Sequence, residues 1–169
     1  MHQGKLNPEN HEPHSFDLII SIEVIEHINN PREEIQNFQS ILRLGGGVYI
    51  TTPNFNAASR MILKEKWNVL AYPEHLCYYT PRTITRLFQS QNFSTEKIET
   101  TGISVTRMKS SISQSNETGV SADSGDEKLR TALESKPILR ILKSAINNAL
   151  TLTGAGDNLK ATFISKQQA

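Results

Sequence analysis

Two carboxylates and one imidazole follow an apolar segment of the chain at short spacing. The apolar segment is residues 16–25, FDLIISIEVI. Glu23 lies near its end, and Glu26 and His27 follow it directly. If the chain turns helical after Ile22, spacings of three and four residues place all three side chains on one face, and His27 can serve there as a general base. If the chain stays extended, Glu26 points away from the other two. The residues alone leave two explanations open, a chemical site and a solvated strand end.

The segments around these residues are typical of α/β proteins. Residues 16–25 form a nearly continuous apolar run, which predicts a central strand buried on both faces of a parallel sheet. A helix is expected next, capped by Asn30 and stopped at Gly45, and residues 48–54 predict a second buried strand. This order predicts a right-handed crossover, and ligands gather at the carboxyl edge of such sheets.

The chain is long enough for one domain and too short to expect two. Helices are also expected around 56–66 and after Thr80, which can cap the second one. A third strand is expected at 95–101, after Asn92 as a left-handed helix cap. The single domain then divides into five parts. They are an N-terminal remnant at 1–15, a core at 16–102, a flexible loop at 110–125, an amphipathic helix at 137–152 and a final strand at 159–166.

Two groups of residues have two explanations each. The helix at 137–152 carries an apolar stripe beside basic residues, so it can lie on a membrane surface, although packing on its own domain is the favoured explanation. The aromatic residues around His75 can wall a binding pocket or belong to the core or to the rim of the domain. They are Trp67, Tyr72, Tyr78 and Tyr79.

Composition excludes several classes of protein. The formal net charge of +1 is not that of a dedicated nucleic-acid binder, so no nucleic-acid partner is expected. The single cysteine, Cys77, rules out an intramolecular disulfide, and no apolar stretch follows Met1 that would indicate secretion or a transmembrane segment. A reducing cytoplasm is the expected location.

Three segments carry recognisable motifs in a fixed order: FDLIISIEVIEHINNP, ILRLGGGVYITTPN and YPEHLCYYTPRTITRLFQSQNF. In these segments the chain resembles the ubiquinone-biosynthesis O-methyltransferases and related class I S-adenosylmethionine-dependent methyltransferases. The resemblance implies a Rossmann-like α/β fold. The strands beginning at Phe16, Val48, Thr95 and Leu159 would be the fourth to seventh of its sheet, and the last would return antiparallel beside its neighbour.

The family's glycine-rich loop after a first strand has no counterpart near the N-terminus. Such loops let backbone approach the ligand closely, so the chain is expected to be an N-terminally truncated domain that lacks its first strands. The run at 154–156, Gly-Ala-Gly, follows a helix and precedes a strand, so it is predicted to be a turn. By family position, S-adenosylmethionine would border Gly4, Leu6, Ser21 and Ile22.

The resemblance also implies a divalent-metal site. Glu23, Glu26 and His27 match a Glu-x-x-Glu-His motif of the ubiquinone and small-RNA O-methyltransferases, and His75 is the candidate for their later histidine. A divalent cation that the acceptor hydroxyl coordinates stabilises the ionised oxygen, which can then attack the sulfonium methyl. Such ligands suit Mg²⁺, Mn²⁺ and other divalent ions. Without a metal, His27 or His75 is the candidate general base.

The leading hypothesis is therefore methyl transfer from S-adenosylmethionine to an oxygen of a small molecule, with Mg²⁺ or another divalent cation as a second cofactor. A rival hypothesis is a non-catalytic interaction module. Without the first strands, residues 16–25 would form an exposed sheet edge, which a partner chain or a second copy would cover. A metal hydrolase is a third hypothesis, because the same ligands can activate water.

Overall fold

The computed structural model describes residues 6–102 and 137–166 of the 169. The predicted loop at 110–125 and the predicted cofactor residue Gly4 lie outside these ranges. The strands are β1 (Phe16–Ile22), β2 (Leu42–Pro53), β3 (Phe93–Thr101) and β4 (Asn158–Ser165). The helices are α1 (Pro31–Ile41), α2 (Ala58–Leu63), α3 (Pro81–Gln89) and α4 (Pro137–Thr153), with short 3₁₀ helices at Pro8–Asn10, Ile25–His27 and Lys64–Lys66.

The four strands form one sheet in the order β1-β2-β4-β3. β1 and β2 run parallel, as expected for strands joined through a helix, and β4 pairs antiparallel with both β2 and β3. The predicted α/β fold is confirmed, and so is the final antiparallel strand inserted beside its neighbour.

The position of β1 in the sheet differs from the prediction. The strand ends at Ile22 and lies at the edge of the sheet, so residues 16–25 do not form a central strand buried on both faces. Leu18, Ile20 and Ile22 are 52%, 60% and 58% exposed, while Ser21 on the opposite face is buried. The reason is that no element among the described residues covers this face of the strand. The edge position expected under the rival hypothesis is confirmed.

The predicted helix stop at Gly45 is wrong. α1 ends at Ile41, and the chain enters β2 at once, because the fully buried Leu42 already pairs with Phe16 of β1. Gly45 instead has a φ of +76° within β2, beside an irregularity in the pairing of the two strands. β2 therefore begins at Leu42 and not at Val48.

The helix caps agree with the prediction in two cases out of three. Thr80 forms a capping box with Thr83 at the start of α3, and Asn92 has a φ of +60° between α3 and β3. Asn30 makes no side-chain cap at α1, and its amide nitrogen donates to the Glu33 carboxylate over 2.9 Å.

The main core lies between the sheet and the helices α1 and α3. Its centre is an aromatic group in which the rings of Phe88 and Phe163 stack with centroids 3.9 Å apart, and Phe93 meets Phe88 edge-on at 5.4 Å. All three side chains are buried. This group joins α3 to the middle of the sheet and so fixes where the chain before α3 must run.

The amphipathic helix predicted at 137–152 is present as α4, and it packs against β3. Among the side chains described in it, the apolar stripe is largely uncovered: Ala145, Ile146 and Ala149 are exposed, and Leu150 is half-buried. The helix therefore packs on its own domain through β3, while Ala145, Ile146 and Ala149 in the stripe stay exposed. In the described parts of the chain, no helix combines the length and the apolar character needed to cross a bilayer.

Candidate functional site

A tight turn at the carboxyl end of β1 positions the first two site residues. The Glu23 amide donates to the Thr51 carbonyl over 2.9 Å and so continues the ladder with β2, but Glu23 has a φ of +52° and redirects the chain. The 3₁₀ helix Ile25–His27 follows directly. Ile25 and Glu26 turn into the domain, whereas His27 is exposed at its surface.

The segment that carries His75 is bound to this turn through backbone atoms. The Glu26 carbonyl accepts from the amides of Leu76 and Cys77 over 2.8 and 3.0 Å. In return, Nδ1 of His27 bonds the Glu74 carbonyl over 2.6 Å. These contacts bring two distant segments together and place the rings of His27 and His75 with centroids 4.8 Å apart.

Backbone carbonyls fix the tautomer of both imidazoles in their neutral form. Nδ1 of His27 faces the Glu74 carbonyl, and Nδ1 of His75 lies 2.7 Å from the Val69 carbonyl. A carbonyl oxygen can only accept a hydrogen bond, so each neutral ring must carry its proton on Nδ1. The Nε2 atoms therefore keep their lone pairs, which can bind a metal ion or take up a proton.

The Glu26 carboxylate is the buried acid of the site. Its side chain is 2% exposed, and its Oε2 accepts from the Thr52 hydroxyl over 3.0 Å. Burial raises the pKa of Glu26, and the nearby charge of Glu23 adds to this effect, although hydrogen bonds from its own backbone and Thr52 and the charge of His27 partly oppose it. A positive ion beside this carboxylate would offset its loss of hydration.

Glu26, His27 and His75 form a three-residue group whose candidate ligand atoms all lie within 4.8 Å of one another. Small side-chain rotations can close such a group around one ion. One carboxylate oxygen and two imidazole nitrogens suit several divalent cations, and hydrogen bonds to Thr52 and to two carbonyls orient the ligands from behind. The residues therefore fit a divalent metal.

Glu23 is not in this group, although the resemblance to the O-methyltransferases implies it as a fourth ligand. The backbone turns at Glu23, which has a φ of +52°, before the 3₁₀ helix that carries Glu26 and His27. The charge of Glu23 still contributes to the raised pKa of Glu26, so this residue lies near the site. Its role as a ligand stays a prediction.

The described residues predicted to border the cofactor lie in two different places, at the end of β1 and against the main core. Ser21 and Ile22 lie at the carboxyl end of β1 on opposite faces, with Ser21 buried and Ile22 exposed. Leu6 is half-buried and packs against the main core. Their contact with a cofactor stays a prediction.

The four aromatic residues divide between core and surface. Trp67 and Tyr79 are buried, so the core explanation holds for both. Tyr78 is half-buried with its ring centroid 6.4 Å from that of His75, whereas Tyr72 is 85% exposed. The ring of Tyr78 therefore lies beside His75.

The predicted turn at 154–156 is confirmed, and it supports the carboxyl end of β2. The buried Asn54 donates from its amide nitrogen to the carbonyls of Gly154 and Gly156 over 3.0 and 2.7 Å. A Cβ at Gly156 would lie 2.7 Å from the Thr101 backbone nitrogen, so only glycine fits there.

Thr52 is the functional residue that sequence reasoning missed. It lies one position before the Pro53 that ends β2 and is fully buried. The pair Thr51-Thr52 at the end of the predicted strand 48–54 is the available signal, but the partner of Thr52 becomes visible only when β1 and β2 are paired.

An open groove of about 1050 Å³ lies at the other end of the sheet. It is bordered by the start of β2, the end of β4 and residues of α1 such as Gln36 and Gln39. None of the predicted site residues borders it, so it is separate from the Glu26 group.

Comparison with known proteins gives one matching family model and several solved structures. The model is described as a methyltransferase domain, and it matches residues 2–98. Among curated proteins, the mitochondrial ubiquinone biosynthesis O-methyltransferase of Dictyostelium discoideum is 44% identical over 39 residues, which are 23% of this chain and 12% of that protein.

Three solved structures show the same fold at low sequence identity. A SAM-dependent methyltransferase from Archaeoglobus fulgidus is 13% identical with a TM-score of 0.55, and the match covers 94% of this chain and 63% of that one. A SAM-dependent methyltransferase from Thermotoga maritima is 11% identical with a TM-score of 0.57 and coverages of 92% and 58%. A Haloferax volcanii methyltransferase solved in complex with the Trm112 methyltransferase activator is 12% identical, with a TM-score of 0.53 and coverages of 94% and 57%. The chain thus spans about three fifths of the length of these structures.

Proposed function

Because the chain belongs to the methyltransferase domain family, we propose that it serves in S-adenosylmethionine-dependent methyl transfer to a hydroxyl oxygen of a small molecule, with a divalent cation at Glu26, His27 and His75. The observation that carries this proposal is the convergence of the three ligand groups at the carboxyl end of β1. The short match to an O-methyltransferase supports oxygen as the accepting atom.

The chemistry requires that the acceptor lose its proton. The oxygen lone pair forms a bond to the methyl carbon, the bond from that carbon to the sulfonium sulfur breaks, and S-adenosylhomocysteine leaves. A bound divalent cation would lower the pKa of a hydroxyl that coordinates it. In the alternative without a metal, the free Nε2 lone pair of His27 or His75 takes up the hydroxyl proton as a general base.

The chain's own residues have distinct parts in this proposal. Thr52 donates to one oxygen of Glu26 and so fixes the orientation of the carboxylate that would bind the ion. The carbonyls of Glu74 and Val69 keep the two imidazoles in the form that binds metal or accepts a proton. The family positions Gly4, Leu6, Ser21 and Ile22 are proposed to border the methyl donor.

The test of this function is calorimetric titration of S-adenosylmethionine into the chain, with and without Mn²⁺. We expect saturable binding near one molecule per chain, and we expect Mn²⁺ alone to bind as well. A chain that does not bind S-adenosylmethionine would contradict the proposed methyl transfer, and a chain that does not bind Mn²⁺ would contradict the proposed metal site. Acceptor hydroxyl compounds can then be screened by the formation of S-adenosylhomocysteine.

A second candidate function rests on the uncovered edge of the sheet. Leu18, Ile20 and Ile22 are each more than half exposed on a strand whose outer side pairs with no described residue. Such edges recruit further strands, so we propose that a second copy of the chain or a partner polypeptide covers β1. The methyltransferase from Haloferax volcanii, solved with an activator protein, is a precedent for a partner.

Sedimentation velocity tests this association. We expect the wild-type chain to form dimers or larger species, and Ile20→Lys to shift it to the monomer, because a charge on an edge strand opposes strand pairing. The matched control is Ile62→Lys, since Ile62 is 69% exposed on α2 and away from β1. A monodisperse wild-type monomer would show that β1 needs no second copy.

A further inference from the structure

His75 depends on a small cluster that is separate from the main core. Its Nδ1 bonds the Val69 carbonyl over 2.7 Å, and its amide donates to the Ala71 carbonyl over 2.7 Å. Val69 packs with the buried Trp67 and Ala57 in a group that the main core does not include. The position of the His75 ring is therefore set by whatever holds Trp67 and Val69 to the domain.

A chain of buried hydrogen bonds makes that attachment. Nε1 of Trp67 donates to Oγ of Ser59 over 3.1 Å, and the Ser59 hydroxyl donates to Oδ1 of Asp157 over 2.7 Å. Both bonds are buried, and Trp67, Ser59 and Asp157 are each at most 2% exposed. Because an ionised carboxylate can only accept, Ser59 must donate to it, which leaves a hydroxyl lone pair for the Trp67 N–H.

Asp157 is in turn fixed by the sheet. Its amide donates to the Gly102 carbonyl and its carbonyl accepts from the Asn54 amide, both over 2.9 Å. It directly precedes β4, the strand that pairs with both β2 and β3. The chain of bonds thus runs from the sheet through Ser59 and Trp67 to the segment whose carbonyl holds His75.

We propose that Ser59 and Trp67 are positioning residues for His75, because the hydrogen bonds from Trp67 to Ser59 and from Ser59 to Asp157 hold the Val69 carbonyl where it fixes the imidazole with its proton on Nδ1. Neither side chain is among the ligands. The inference rests on the proposed function only in that His75 is taken as a ligand or base, since the hydrogen bonds themselves stand without it.

The test uses the whole chain with two readouts, the affinity for Mn²⁺ by calorimetry and the tautomer of His75 by ¹⁵N NMR without metal. Ser59→Ala removes the hydroxyl, and Trp67→Phe removes the N–H but keeps a ring in the cluster. We expect each variant to bind Mn²⁺ about tenfold more weakly, as is usual when a residue that orients a metal ligand is removed. We also expect the NMR signals of His75 to change from the Nδ1–H form alone to a mixture of tautomers.

Two control variants separate positioning from general destabilisation. Ser59→Thr keeps the hydroxyl and is expected to retain wild-type values in both readouts. Ser94→Ala removes a hydroxyl that donates to the Ile164 carbonyl on the far side of the sheet, and it is expected to change neither readout. Equal losses in these controls would overturn the proposal, since they would not depend on the Ser59 hydroxyl.

The outcomes distinguish this inference from the proposed function. If the wild-type chain binds no Mn²⁺, the metal proposal fails. The tautomer of His75 then tests by itself whether Ser59 and Trp67 position its ring. If Ser59→Ala does not fold, Trp67→Phe decides it by the same readouts. Unchanged Mn²⁺ affinity and an unchanged His75 tautomer in a folded variant would overturn the positioning role.

Discussion

Replacing Glu26 with glutamine is expected to weaken Mn²⁺ binding by more than about a hundredfold. This loss is larger than the one expected when a residue that only orients a metal ligand is removed. The carboxylate is the one anionic member of the three-residue group, whose other two members are imidazoles. A neutral carboxamide keeps the shape and can still accept from Thr52. A loss of Mn²⁺ binding would therefore result from the missing negative charge and not from a change in the structure of the turn.

The same substitution is expected to make the metal-free domain more stable at neutral pH. Burial raises the pKa of Glu26 above its ordinary value of 4.5, so the folded chain holds that proton more tightly than the unfolded chain. The stabilisation from this group is complete below the unfolded pKa, and it is lost as the pH rises through the raised folded pKa. Glu26→Gln has no charge to bury, so its free energy of unfolding should not decrease in this way as the pH rises.

Urea unfolding between pH 4 and pH 8 without metal, together with Mn²⁺ calorimetry, checks both parts of this prediction. Glu74→Gln is the matched control, because Glu74 is exposed beside the site and takes part through its backbone carbonyl. It should bind Mn²⁺ as the wild type does. If Glu26→Gln binds Mn²⁺ normally, or is less stable than the wild type at pH 7, the assignment of Glu26 is wrong.

Replacing Phe163 with alanine is expected to lower the free energy of unfolding by about 3–5 kcal/mol, the usual cost of deleting a buried aromatic ring. Phe163 is fully buried on the inner strand β4 and stacks on Phe88. Domains of this size are stable by only about 5–15 kcal/mol. The variant should therefore be close to unfolded at 37 °C.

The urea midpoint at an unchanged slope measures this loss. Phe16→Ala is the matched control, because Phe16 is 38% exposed at the start of the edge strand β1. Its cost should be much smaller than that of Phe163→Ala. Equal costs for the two variants would contradict a core centred on the Phe88 and Phe163 stack.

The elements of the fold could be predicted where a local pattern is sufficient. The capping residue Thr80, the left-handed Asn92 and the final strand follow from residue types at short range. The edge position of β1 could not be predicted from its composition, because an apolar run such as FDLIISI can occur in a central strand or in an edge strand. The end of α1 was misplaced because the pairing of Leu42 with Phe16 is a tertiary contact.

The site could be predicted in part for the same reason. Glu26 and His27 are adjacent in sequence, so their grouping needs only a local turn. The approach of His75 depends on backbone hydrogen bonds between Glu26 and the segment at 74–77, which no periodicity encodes. Glu23 stands outside the three-residue group, and the turn at its positive φ could not be predicted from spacing alone.

The central claim is that one divalent cation binds between the Glu26 carboxylate and the two imidazoles. Electron spin echo spectroscopy of Mn²⁺ bound to the wild-type chain tests it most directly, because the method detects nitrogen ligands of the ion. We expect modulation from two histidine nitrogens, reduced to one in His75→Ala and unchanged in His14→Ala, whose imidazole bonds the Leu42 carbonyl at the other end of the sheet. Bound Mn²⁺ without histidine modulation, or modulation that survives the loss of His75 in full, would contradict the assignment.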